Sequence, residues 1–395
     1  MKKILNRYPQ VWIALLLAVA VTLAHRTVTA FVLTYVITFA LVTAYRIVSE
    51  VPSVQRTVAF LRRYQIYLGV LLIFVVGAVL GQMNRPYRPG TDTQYNPFMT
   101  SENQTNVLRQ VSINGILAVG MTLVILTAGI DLSVGSVLAL AAVASADLLR
   151  YYQWPVLPVL LVTLLIGAAL GLGNGLLVTK CRLQPFIATL AMMSIARGMA
   201  RTWGIWHGGG GQLVGLSADE TVGGVLRHHE NVRHFFWLAA NLGGGLKFQS
   251  VIFIVCIIVG IFILRKTRFG RYIYAVGGNE EAARLSGINT KFVLNSVYII
   301  GGVLSALAGL VYAADFQSGD PNAGIGFELD AIAAVVIGGT SLMGGVGTMV
   351  GTLLGALIMG YIVNIMTLKG LNADLQLILK GVIIVVAVML QRTKD

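Results

Sequence analysis

The sequence predicts an all-α protein built as a polytopic bundle of membrane-spanning helices. Its 395 residues are 56% hydrophobic and only 11% charged, with a mean hydropathy of +0.79, which is too apolar for a soluble chain of this length. Apolar runs of about 20 residues, the length that a helix needs to cross a bilayer, recur along the whole chain. The basic residues between these runs follow the pattern that is typical of such bundles.

Ten to twelve apolar runs are long enough to be spans. They cover residues 11–24, 28–48, 66–82, 104–128, 133–149, 156–179, 184–203, 250–266, 292–315, 327–343, 345–366 and 373–391. The first run is short, so residues 11–48 form either two spans or one span and an interfacial segment. We therefore divide the chain into an N-terminal extension, residues 1–61, with one or two spans, and a membrane core, residues 62–395.

The charges of the loops predict the orientation. More than half of the lysines and arginines fall in alternate connections, which the positive-inside rule places in the cytoplasm. We expect a multi-pass protein of the cell inner membrane with both termini in the cytoplasm. The net charge of +13 therefore comes from basic residues at the ends of the predicted helices. Because no basic stripe is interleaved with aromatic residues, we expect no nucleic-acid partner.

No residue pattern indicates a catalytic, cofactor or metal site. The GxxxxGK[ST] loop that binds nucleotide phosphates is missing from the sequence, so any ATP must be bound by another chain. The outer-loop histidines, with His229 next to Glu230 and His234 beyond them, miss the HExxH zinc spacing by one residue. We therefore expect a protein that is not an enzyme.

Two predicted helices carry glycine at every fourth position, which gives each a smooth face for close packing. These residues are Gly167, Gly171 and Gly175, and Gly347, Gly351 and Gly355. A glycine-rich turn at residues 338–348 also resembles the turn at residues 129–136, which favours an internal repeat.

Polar side chains within the spans are candidates for a translocation pathway. An acidic side chain such as Asp131 is costly to bury in a membrane, so Asp131 is a candidate functional residue. Either Asp131 or Ser133 caps the helix that begins there, or the pair contacts a solute. Asn114, Asn174 and Asn364 are further span positions that either contact a solute or form hydrogen bonds between helices.

The cytoplasmic connection at residues 269–288 predicts a short helix of about two turns. Asn279 can cap its start, the acidic Glu280 and Glu281 suit its positive first turn, and Gly287 can end it. Such a helix can dock into a groove of another protein.

The chain resembles the permease subunits of ABC importers for ribose, galactose, xylose and similar sugars. The resemblance covers about residues 62–391, and its signature stretches are residues 109–119, 129–136, 185–198, 269–288 and 329–347. It implies a ten-span core, two permease copies that form the pathway, cytoplasmic ATPase subunits that bind ATP and Mg, and an extracytoplasmic sugar-binding protein. It also implies that the short inner helix is the ATPase-coupling loop, formed by Gly278, Asn279, Glu280, Glu281, Ala282, Ala283, Arg284 and Gly287.

The function implied by the resemblance is translocation of a pentose or hexose. A nucleoside or branched-chain amino acid permease is the alternative within the same transporter class. An intramembrane enzyme would need paired carboxylates or a histidine-based site in the spans. A secondary transporter would need more charged mid-span residues than Asp131, Arg197 and Arg201. The chain departs from the family in its N-terminal extension and in its long outer loop at residues 204–249.

Overall fold

The computed structural model describes residues 52–83, 94–203, 214–217, 219–222, 225–228 and 230–392. The predicted spans at residues 11–24 and 28–48, and with them most of the predicted N-terminal extension, lie outside these residues.

Most of the described chain is helical. The helices are α1 (Pro52–Met83), α2 (Ser101–Leu126), α3 (Val134–Arg150), α4 (Val156–Thr179), α5 (Pro185–Trp203), α6 (Glu230–Phe235), α7 (Phe248–Lys266), α8 (Arg268–Gly278), α9 (Glu280–Leu285), α10 (Thr290–Asp315), α11 (Phe327–Ile337), α12 (Met349–Leu368) and α13 (Ala373–Arg392). A 3-10 turn, Phe236–Ala239, follows α6. Two antiparallel pairs of very short strands join β1 (Val214–Gly215) to β4 (Ser318–Gly319), and β2 (Asp219–Val222) to β3 (Val225–His228).

Five of the described helices are long and apolar enough to cross a bilayer, namely α2, α4, α7, α10 and α12. The chain is therefore a helical membrane protein, as its composition predicts. The strands are a departure from a purely helical architecture, and they occur in connections outside the long helices.

The chain divides into two compact units. One unit, Ile73–Leu368, contains the core and every site described below. The other includes α13 and the beginning of α1.

The core is centred on α3 and α10. Every residue of α3 from Val134 to Leu149 is buried. Helix α10 packs against α2, α3 and α4. A Cβ atom on Gly167 or Gly171 of α4 would overlap a backbone carbonyl of α10, so only glycine permits this approach. The packing role predicted for this glycine face is confirmed.

One predicted helix is shorter than its apolar run. The run at residues 327–343 predicts a span, but α11 ends at Ile337. Gly339 and Gly344 both have φ of +85°, a left-handed conformation that interrupts a helix. Residues 338–348 form a non-helical connection, which we call the glycine turn.

The second predicted glycine face is only partly helical. Gly347 lies in the glycine turn, before α12 begins at Met349. Gly351 and Gly355 lie in α12, where an added Cβ would overlap backbone carbonyls of Gly338 and α11. These two glycines therefore allow α11 and α12 to pack closely.

Candidate functional site

The predicted short inner helix is present as α9, and Asn279 begins it. The Asn279 backbone is extended, with φ of −163° and ψ of 106°, so it separates α8 from α9. Its side-chain oxygen accepts a hydrogen bond of 2.9 Å from the backbone N–H of Ala282. This bond satisfies one of the free donors at the start of α9.

The charged residues of α9 are arranged to stabilise it. Glu280 and Glu281 lie in the first turn and Arg284 in the last, which complements the helix dipole at both ends. The Arg284 guanidinium donates two hydrogen bonds, of 3.1 and 2.6 Å, to the Glu281 carboxylate. These hydrogen bonds and the positive charge of Arg284 lower the pKa of the Glu281 carboxyl from its ordinary value.

The end of α9 is a Schellman motif. Gly287 has φ of +83°, and its N–H donates to the carbonyl of Arg284 at 3.0 Å. The N–H of Ile288 donates to the carbonyl of Ala283 at 3.1 Å. Ala283 is buried, whereas the apolar side chain of Leu285 is 77% exposed. Helix α9 therefore presents a rigid, capped surface that includes an exposed apolar residue.

Helix α8 connects α9 to the membrane core. The Tyr274 hydroxyl donates a hydrogen bond of 2.8 Å to the carbonyl of Gly347 in the glycine turn. A Cβ atom on Gly277 would overlap the carbonyl of Leu126, the last residue of α2. That carbonyl also accepts a hydrogen bond of 3.0 Å from the N–H of Gly345. The end of α2, the end of α8 and the glycine turn therefore meet at one point.

Three of the predicted pathway residues form one buried cluster. The Asp131 Oδ1 atom accepts hydrogen bonds from the Ser133 N–H at 2.8 Å and from the Ser133 hydroxyl at 2.6 Å. The Asn174 amide donates to the Ser133 hydroxyl at 2.9 Å. Each of the three residues is 1% exposed. The cluster joins the connection before α3 to the C-terminal part of α4.

The hydrogen bonds of this cluster stabilise the turn before α3 but do not cap the helix itself, because neither the Asp131 nor the Ser133 side chain binds a free N–H of α3. Asp131 binds the N–H of Ser133, the residue directly before α3. Ser133 itself makes no side-chain capping bond to α3, because its hydroxyl donates to Asp131. The Asn174 Oδ1 atom is one of the buried polar atoms of the described residues that have no hydrogen-bond partner. The cluster therefore retains unused polar capacity.

The other two predicted pathway residues lie at separate helix contacts. The Asn114 amide donates to Asp330 at 3.4 Å, and this bond joins α2 to α11. Asn364 and Asn103 exchange two hydrogen bonds, of 2.8 and 3.1 Å, which join α12 to α2. For Asn364 the observed contact is thus between helices.

One partly buried ion pair could not be predicted from the sequence. The Arg109 Nε atom lies 3.0 Å from the Asp315 carboxylate, whose side chain is 5% exposed. The Gln249 amide donates to the Arg109 carbonyl at 3.1 Å. The signal was an arginine and an aspartate near the ends of two apolar runs, but their pairing depends on helix packing.

Comparison with known proteins identifies the family to which the chain belongs. The family described as "Branched-chain amino acid transport system / permease component" matches residues 103–388. The Ribose import permease protein RbsC of Escherichia coli (strain K12) is 43% identical over 298 residues, which cover 75% of this chain and 88% of the relative.

Two further relatives extend this result. The Ribose import permease protein RbsC of Bacillus subtilis (strain 168) is 40% identical over 330 residues, which cover 83% of this chain and 92% of the relative. The Xylose transport system permease protein XylH of Escherichia coli (strain K12) is 36% identical over 334 residues, which cover 74% of this chain and 85% of the relative. The chain therefore belongs to this family of ABC importer permeases.

Proposed function

We propose that this chain is the membrane-spanning subunit of an ATP-driven importer that moves a monosaccharide, a pentose or a hexose, across the inner membrane. The observation that carries the proposal is its identity of 36–43% to ribose and xylose permeases over about three quarters of its length. A set of long apolar helices with a capped, exposed helix at one end suits a subunit that is moved by another protein.

The partners follow from the family. Importer permeases of this kind work with an ATPase and an extracytoplasmic binding protein. ATP and Mg belong to the ATPase, and this chain supplies the pathway without chemistry of its own. We further propose a ten-span core, two permease copies per transporter and cytoplasmic N- and C-termini.

The coupling mechanism runs through α9 and α8. The ATPase would contact the exposed side of α9, including Glu281 and Leu285. Helix α8 would carry the resulting movement to the core, because Tyr274 and Gly277 contact the glycine turn and the end of α2. Closure of the ATPase pair can then shift the bundle between outward and inward openings.

Import of a branched-chain amino acid is the second candidate, because the family description names that cargo. The relatives above carry the names of sugars. These names favour a monosaccharide as the cargo here.

The test is uptake into proteoliposomes that contain this chain, its ATPase and its binding protein. Radiolabelled pentoses, hexoses, nucleosides and branched-chain amino acids are supplied with ATP inside the vesicles, on the ATPase side. We expect uptake of one monosaccharide that is lost when the ATPase is omitted. Uptake of an amino acid or nucleoside instead would contradict the sugar assignment, and uptake without any ATPase would contradict the importer mechanism.

A further inference from the structure

The connection between α10 and α11 folds back into the core. Its residue Gly319 packs against Ala142 and Ala146 of α3, and its residue Gly324 packs against Gly135 near the start of the same helix. Ala146 and Gly135 are about 16 Å apart along α3 at the helical rise of 1.5 Å per residue. Residues 316–326 therefore form a re-entrant segment rather than a simple outer loop.

Two arginines of α5 bind this re-entrant segment. The Arg197 Nη1 atom donates to the carbonyl of Pro321 at 2.8 Å and to the carbonyl of Ala323 at 2.7 Å. The Arg201 Nη2 atom donates to the side-chain oxygen of Asn322 at 2.9 Å. The irregular backbone is thus held by cationic side chains.

The contacts between α5 and the re-entrant segment lie near the middle of the bilayer. Helix α5 follows α4 through a short turn and packs against it, with Met192 next to Gly173. Arg197 lies about 18 Å along α5 from Pro185, the first residue after the turn that joins the two helices. A point about 18 Å along α4 from its end at the same turn is the middle of α4. Since α4 is long and apolar enough to span the bilayer, the re-entrant segment reaches the interior of the membrane.

Irregular backbone at this depth is tolerated only inside protein or beside a water-filled cavity, because lipid cannot satisfy free N–H and C=O groups. Within the part of the chain that the structure describes, parts of the segment are exposed: Asn322 is exposed, and Ile325 is 63% exposed. Arg201 is exposed beside them. A charged side chain is costly in hydrocarbon. This side of the protein is therefore unsuited to lipid.

Helix α5 has a polar stripe on the same side. Ser194, Arg197, Gly198 and Arg201 are spaced at i, i+3, i+4 and i+7, so they share one face. A neighbouring exposed face carries the apolar Ile195, which is 52% exposed. The two faces differ in polarity at the same depth.

Basic and acidic groups lie close together beside the polar stripe. Arg197 is near Glu328 and Asp320 as well as Arg201. These groups supply many hydrogen-bond donors and acceptors. The exposed side chain of Ile325 adds the apolar contact that is usual in ligand sites. This chemistry suits a neutral, hydroxyl-rich solute.

We propose that the polar stripe of α5 and the re-entrant segment form a water-lined wall of the solute pathway at mid-membrane, where Arg201 and Asn322 contact the hydroxyl groups of the passing solute. Discontinuous helices at the midplane are used in this way by other transporters. The identity of the solute as a sugar rests on the proposed function, whereas the water-lined wall does not.

The water-lined wall is tested by cysteine labelling of the full chain in nanodiscs, where an aqueous reagent reaches both membrane faces. Cys181 and Cys256 are first replaced by serine and alanine. Residues 194 and 195 are adjacent in the middle of α5, so the two variants Ser194→Cys and Ile195→Cys place their thiols at nearly the same depth in the membrane. Because the thiolate forms only where water reaches the thiol, we expect a charged methanethiosulfonate to label Ser194→Cys about tenfold faster than Ile195→Cys.

Asn322→Cys is labelled in the same way, and it should react like Ser194→Cys. Equal rates at Ser194→Cys and Ile195→Cys would overturn the proposal, whether both are fast or both slow. Fast reaction at both would place α5 outside the membrane, and slow reaction at both would place its polar stripe in a dry contact. Neither result depends on which solute is carried.

Solute contact is tested by uptake in the reconstituted importer. We expect Asn322→Ala to lower the uptake rate of the transported monosaccharide about tenfold when the solute-loaded binding protein is saturating. An unchanged uptake rate, where the wild type imports sugar, would overturn the contact. If the wild type imports no sugar, the proposed function is wrong. The labelling experiment still shows whether the polar stripe of α5 faces water.

Discussion

The hydroxyl group of Tyr274 in α8 lies 2.8 Å from the carbonyl oxygen of Gly347 in the glycine turn and donates a hydrogen bond to it. This bond connects the segment that carries α9 to the connection between α11 and α12. A movement of α9 can therefore reach two core helices through one side chain.

Tyr274→Phe removes this hydrogen bond and keeps the ring. We expect a loss of about 1 kcal/mol in stability, the net value of one hydrogen bond, and a lower ratio of solute imported to ATP hydrolysed. The measurement is uptake and phosphate release in the same proteoliposomes. Tyr272→Phe is the control, because Tyr272 is 40% exposed on the same helix. Equal ratios for the two variants would contradict the coupling role of Tyr274.

Gly277→Ala should destabilise the junction between α8 and the core. The added methyl group would overlap the carbonyl of Leu126, and overpacking of this kind costs about 1–3 kcal/mol. We expect a lower midpoint of thermal unfolding for the purified protein. Gly278→Ala is the matched control, since a Cβ atom there has nothing within 4 Å. If Gly277→Ala unfolds at the same temperature as Gly278→Ala, the close approach is not required.

Asp131→Ala should destabilise the connection before α3. It leaves the Ser133 N–H and hydroxyl without their acceptor in a buried site, at a cost of about 1–3 kcal/mol. Asp131→Asn keeps an oxygen at this position and should retain stability and uptake. The measurements are thermal unfolding and initial uptake rate. A stable Asp131→Asn variant that imports no solute would support direct solute contact and contradict a purely structural role of Asp131.

The long helices could be predicted from sequence because the bilayer demands continuous apolar runs. The caps of α9 could also be predicted, because Asn279 and Gly287 act on neighbours within a few residues. Both signals are local, and they require no knowledge of which helices touch.

The remaining features depend on contacts between distant residues. The end of α11 at Ile337 was missed because the glycine turn carries no charged residue to interrupt the run, and composition does not reveal positive φ. The spans predicted at residues 292–315 and 327–343 leave residues 316–326 as a plain connection, because the path of this segment depends on Gly319 and Gly324 packing against α3. The partner of Asn364 is Asn103, a residue far away in sequence.

The most direct test of the account is ATP hydrolysis by the assembled transporter with Glu281→Lys in α9. This change replaces an exposed carboxylate by a cation and breaks its pair with Arg284. A double variant, Glu281→Lys with Arg284→Glu, restores a salt bridge within α9 but keeps the two charges in exchanged positions. If α9 docks on the ATPase, both variants insert normally and both lose solute-stimulated hydrolysis. Hydrolysis and uptake at the wild-type level in the single variant would contradict the coupling role of α9.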